Sequence, residues 1–175
     1  MVIFMKRIFL IIIMLVLVVA ASGCTSENSS SNKTYSANGV TFVYPGSWSE
    51  QNSTTLQSQV GSIGSVIAVV GDGSKSMFGI AKINVGSDER IASLNEWASS
   101  YNNTMKNRGV SYVSEKTLTV DGVDAISMTL KDSDSGSYVT DIFFVKNGTA
   151  YLAVYASTNN DQQAIEQILK NLHIT

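Results

Sequence analysis

One cysteine, one proline and one histidine in 175 residues exclude several chemistries at the outset. A lone thiol at Cys24 closes no intramolecular disulfide, so the fold must be held by its core. With His173 as the single imidazole and no Gly-x-Ser-x-Gly elbow, a Ser-His-Asp system has little to stand on. One His and one Cys also fall short of a three-ligand zinc site. Charged residues are scarce at 15%, and the net charge of -2 includes Lys6 and Arg7 near the start, so the remainder is two units more negative. No Lys/Arg cluster is present to displace phosphate counterions, which excludes nucleic acid as a partner. No cofactor and no metal ion is called for, and the chain is expected not to be an enzyme.

What is abundant is polar and uncharged, Ser and Asn above all, a balance that suits an extracytoplasmic protein. The first residues, MVIFMKRIFLIIIMLVLVVAASGC, place Lys6 and Arg7 before an apolar run from Ile8 to Ala21. As a helix this run reaches about 21 Å, short of the roughly 30 Å hydrocarbon core, so it reads as a secretion-signal helix. Ala21, Ser22 and Gly23 before Cys24 resemble the lipobox of prokaryotic lipoproteins, with Ala21 where that family usually has Leu. The resemblance implies cleavage before Cys24 and a lipid on its sulfur, with residues 1–23 as the signal peptide. An uncleaved anchor helix is the alternative, and Met5 is an alternative start. Either way the domain is expected outside the cell, held to the outer side of the cytoplasmic membrane.

Residues 24–34 hold the tract TSENSSSNKT, which has no large apolar side chain and reads as a flexible stalk. Glycosylation sequons fall at Asn28, Asn32, Asn52, Asn102 and Asn147. They carry meaning only in an organism that glycosylates exported proteins, as at an archaeal cell surface.

Residues 35–175 suffice for one domain. Asn38-Gly39, Asp121-Gly122 and Asn147-Gly148 are two-residue hairpin turns, each between alternating apolar runs. The stretch from Val110 to Ala156 is therefore an antiparallel meander of four strands, and two more strands flank the GDGSKSM loop at 71–77. A first helix is expected from Ser93 to Gly109, with Leu94, Trp97, Ala98, Tyr101 and Met105 as its apolar stripe. A closing helix carries Ala164, Ile165, Ile168, Leu169 and Leu172, with Asn160 and Gln163 as its expected cap. Since Tyr138 to Val145 is apolar on both faces, helices are expected on both sides of the sheet: an α+β domain built as an α/β/α sandwich.

Tyr35, Gly39-Val40, Phe42, Tyr44-Pro45 and Trp48 resemble the opening of domains related to PsbP, the extrinsic subunit of photosystem II. The resemblance runs to Thr175 and implies the fold group shared with the Ran-binding Mog-type import factor. Similar chains occur as secreted lipoproteins. A shared fold carries no function by itself, and no metal ligand of the plant members has a counterpart here.

Four constellations remain. Asp132-Ser133-Asp134-Ser135-Gly136 puts Gly fifth and Phe143 at the twelfth position, so it reads as a solvated hairpin loop with at most weak calcium affinity, not an EF-hand. Gly71-Asp72-Gly73-Ser74-Lys75-Ser76 lacks the helix that a phosphate cradle needs. Asp124 and Asp141 are the only strand carboxylates to examine for a hydrolase. Trp48, Trp97, Tyr101, Tyr112, Tyr151 and Tyr155 are expected in the core or around a cleft between sheet and helix. The reading is a membrane-tethered, non-enzymatic binding or accessory module with a protein partner at the cell surface. The alternatives are a small-molecule carrier with an aromatic-lined cleft and an assembly factor for a membrane complex.

Overall fold

The computed structural model describes residues 31–54, 57–58, 64–84, 96, 110–133 and 135–175. The expected signal peptide and the helix from Ser93 lie outside them, except for Glu96. Two antiparallel sheets form among the described residues. The smaller has β1 (Lys33–Ala37), β2 (Val40–Tyr44) and β10 (His173–Ile174) in the order β1-β2-β10. The larger has β3 (Ser49–Glu50), β4 (Gly64–Gly71), β5 (Ser76–Ile83), β6 (Val110–Val120), β7 (Val123–Asp132), β8 (Tyr138–Lys146) and β9 (Thr149–Ser157). Its order is β3-β4-β5-β9-β8-β7-β6, so the meander is one half and the β4-β5 hairpin docks on its last strand. β1 opens at Lys33 and takes in the last two residues of the tract read as stalk.

The hairpins close by backbone chemistry that the sequence announces. Asn38 and Gly39 have φ of 54° and 78°, Asp121 and Gly122 48° and 80°, and Asn147 and Gly148 51° and 75°. Two successive positive φ values match the right-handed twist of the strands they join. Each turn therefore fixes a register: Ala37 faces Val40, Val120 faces Val123, and Lys146 faces Thr149.

Register also sorts the side chains. Ala125, Phe144 and Tyr151 lie side by side on one face of the larger sheet, as do Ile142, Ala153 and Ile80. The smaller sheet covers this face. Phe42 meets Phe78 edge-on at 5.3 Å between ring centroids and stacks on Tyr35 at 5.1 Å, which locks the two sheets together. The opposite face, with Met128, Phe143 and Leu152, is equally buried.

The expected α/β/α sandwich with flanking helices is not what forms. The described residues are mostly antiparallel sheet, with a single helix, α1 (Gln163–Lys170). The cover on the first face is chiefly β structure: β2 brings Val40, Phe42 and Tyr44 into the core, and α1 adds Ile165 and Ile168 beside it. Period-two alternation identifies a strand and its buried face, but it does not say which sheet the strand joins. The expected stripe of α1 is present, since Ile165, Ile168 and Leu172 are buried and Ala164 and Leu169 pack against the core. Its cap differs: Gln162 occupies the cap position without a side-chain bond, and Asp161 Oδ1 accepts from the Gln163 amide at 3.0 Å.

Candidate functional site

A tie between the sheets starts at a bulge. The β4-β5 register shifts between Val66 and Ala68, leaving the Ile67 carbonyl outside the ladder. The Tyr35 hydroxyl donates to it at 2.8 Å and Asn38 Nδ2 at 2.9 Å. Asn38 thus serves twice, as a left-handed turn residue and as a clamp on the partner sheet.

A second tie holds the C-terminal end. Asp121, at the β6-β7 turn, accepts from the Ile174 amide at 2.9 Å and from Lys146 at 2.5 Å, and its other oxygen lies 3.1 Å from His173 Nδ1. Burial alone would raise the Asp121 carboxyl. The hydrogen bonds from Lys146, Ile174 and His173, with the Lys146 charge, outweigh that and hold it below the usual carboxylate value. The exposed His173 is therefore a surface partner at the chain end. Neither this cluster nor any other among the described residues gathers three metal-ligating side chains.

Between α1 and the first face of β6, β7 and β8 lies a recess of about 350 Å³. β6 supplies Lys116 and Leu118, and the floor is Ser127 on β7 and Thr140 on β8. Ile165, Glu166, Leu169 and Lys170 close it from the helix, because i, i+4 spacing turns them toward one side. Register explains the floor: Lys116 sits opposite Ser127, and Ser127 opposite Ile142, placing these positions on the face under the helix. Thr140 and Thr129 hydroxyls are 3.0 Å apart and both are buried. This is a polar floor under an apolar wall, with charge at the mouth.

Of the residues expected to form an aromatic cleft, Trp48, Tyr151 and Tyr155 do not line this recess. Trp48 stacks on Tyr155 at 6.3 Å, Tyr151 stacks on Phe144 at 5.3 Å, and all four are buried in the core. Burial raises the Tyr155 phenol, whose hydroxyl is enclosed without a hydrogen-bond partner among the described residues. Trp97 and Tyr101 lie outside the described residues, and Tyr112 is 41% exposed beside the β6 bulge.

The remaining candidates are placed as follows. Asp72 Oδ1 accepts from the amides of Ser74, Lys75 and Ser76 at 2.6–3.0 Å, so its own carboxylate takes the amides a phosphate would need. Asp132 Oδ1 accepts from the Ser135 amide at 2.7 Å and shapes its own loop, while Asp134 lies outside the described residues. Asp141 is fully buried on β8 opposite Met128, whereas Asp124 is exposed at the start of β7 opposite Thr119, so the structure does not bring these carboxylates together. Asn32, Asn52 and Asn147 are exposed, and Cys24, Asn28 and Asn102 lie outside the described residues. Sequence reasoning missed the recess because its lining comes from four separate elements. The one local signal was hydroxyl residues, Ser127, Thr129 and Thr140, at otherwise apolar inward positions.

Two antiparallel sheets sharing one core, with a short helix and a C-terminal strand folded back onto the first hairpin, define the class of fold. The chain belongs to the PsbP-like protein family, whose model matches residues 18–174. Among solved structures it is similar to cyanobacterial PsbP (CyanoP) from Synechocystis sp. PCC 6803, with 14% identity, a TM-score of 0.57, and coverage of 89% of this chain and 99% of that one. A protein from Bacteroides thetaiotaomicron VPI-5482 matches with 8% identity and a TM-score of 0.52, over 78% of this chain and 45% of that one. LpqN, involved in cell envelope biogenesis of Mycobacterium tuberculosis, has 12% identity and a TM-score of 0.47, over 83% and 91%. At these identities the likeness is one of fold alone. No curated protein matches in sequence.

Proposed function

We propose that this protein is an extracytoplasmic lipoprotein whose PsbP-like domain serves as a non-enzymatic binding or accessory module, tethered to the outer side of the cytoplasmic membrane through Cys24. The observation that carries the reading is the order along the chain: a cationic start, an apolar run too short to span, small residues before Cys24, a polar tract, and then β1 from Lys33. That tract separates the lipid from the fold, so the domain stands off the bilayer with its recess open. Further support for binding over catalysis is that the carboxylates of Asp72, Asp121 and Asp132 are engaged in turns or in holding the chain end. Cys24→Ser tests the tether by fractionation and amino-terminal sequencing. Release from the membrane fraction, or a leader left uncut, is the expected result; unchanged fractionation with an unchanged amino terminus contradicts it.

The recess gives the small-molecule carrier reading a specific site. It lies under α1 against β6–β8, apart from Trp48, Tyr151 and Tyr155.

A further inference from the structure

The recess has a chemistry of its own. Its volume of about 350 Å³ lies at the small end of the roughly 300–1,000 Å³ typical of ligand pockets. Leu118, Ile165 and Leu169 offer an apolar wall. Ser127 and Thr140 bring hydroxyls to the floor, and whichever way the bond between Thr140 and its neighbour Thr129 runs, the Thr140 oxygen keeps a lone pair to accept from a hydroxyl in the recess. Lys116 and Lys170 are exposed lining residues, Glu166 is the one carboxylate that lines the recess with them, and neither lysine has an ion-pair partner among the described residues. Each lysine alone has an ordinary explanation: Lys170 complements the helix dipole, and Lys116 keeps the edge strand from pairing with other chains. Neither explanation accounts for their convergence on one cavity floored by hydroxyls.

We propose that the recess between α1 and β6–β8 binds a small organic acid bearing a distal hydroxyl. Its carboxylate lies between Lys116 and Lys170, its apolar body against Leu118, Ile165 and Leu169, and its hydroxyl donates to Thr140 at the floor. The proposal deepens the binding-module reading and is independent of the tether, so a failure here leaves the Cys24 result standing.

The test uses the full chain in phosphatidylcholine nanodiscs, with empty discs as the blank and saturation-transfer NMR as the readout. The probe is 3-(4-hydroxyphenyl)propanoate, with its uncharged amide and 3-phenylpropanoate as comparisons. The acid is expected to receive saturation above the blank and to outbind both comparisons. Lys116→Gln and Lys170→Gln are each expected to weaken it by about fivefold, the scale of an exposed ion pair. Thr140→Val, which keeps the side-chain shape, is expected to abolish the advantage of the hydroxylated acid over 3-phenylpropanoate. Transfer no greater than the blank, equal binding of acid and amide, or wild-type affinity in the Lys116→Gln/Lys170→Gln double variant overturns the proposal.

Discussion

Lys146 reaches Asp121 twice, placing its ammonium 2.5 Å from Oδ2 and 2.7 Å from the backbone carbonyl. A residue at the end of β8 thereby braces the turn between β6 and β7, and the braced carboxylate holds Ile174 in β10. Three distant stretches of chain meet at one side chain. Asp121→Asn isolates the charge, because Asn also accepts the left-handed conformation that Asp121 adopts at φ 48°. The variant is expected to lose about 1–3 kcal/mol in denaturant unfolding, the cost of breaking a charge-assisted, largely buried contact.

The same carboxylate sets an acid response. Its folded value lies below its unfolded one, so its contribution is fully present above the unfolded carboxylate value near about 4. That contribution fades as the pH falls through the lowered folded value. Wild type should therefore lose stability more steeply than Asp121→Asn as the pH drops below about 4, and the two curves should converge at the acid end. Parallel curves from neutral pH downward would contradict this.

At the bulge, Tyr35→Phe removes the hydroxyl that meets the Ile67 carbonyl but leaves Asn38 on the same acceptor. The expected loss is about 0.5–1.5 kcal/mol. Adding Asn38→Gly, which keeps the turn conformation but removes the second donor, should cost more than the two changes measured singly, since only the double variant leaves that carbonyl unpaired.

Two glycines separate backbone strain from crowding. A Cβ on Gly148 meets nothing within 4 Å, but its φ is +75°, so Gly148→Ala should cost only the conformational term of about 1–2 kcal/mol. At Gly71 a Cβ would sit 2.7 Å from the Ser76 carbonyl, and Gly71→Ala must displace backbone. Thermal unfolding should rank Gly71→Ala as the more damaging of the two.

Much of this fold is legible in the sequence, and the reason is local. Asn38-Gly39, Asp121-Gly122 and Asn147-Gly148 specify turns whose φ values few other pairs accept, and alternation around them marks β1, β2 and β6–β9. What is not legible depends on partners chosen at long range. The β1-β2 hairpin gives no local sign that it will cover the larger sheet and recruit β10 instead of extending it. An expectation of helices as the cover follows from that lack of a local sign. The aromatic residues illustrate the same limit, since Trp48 and Tyr155 are far apart in sequence yet stack in the core. The recess could not be read at all, because Lys116, Thr140 and Lys170 become neighbours only once three elements are packed.

The most direct measurement is the intact mass and amino-terminal residue of the protein taken from the membranes of its own organism. A lipoprotein yields a chain beginning at Cys24, with a lipid adduct confined to that residue. A chain that begins at Met1 or Met5 with an unmodified Cys24 would contradict the lipoprotein reading.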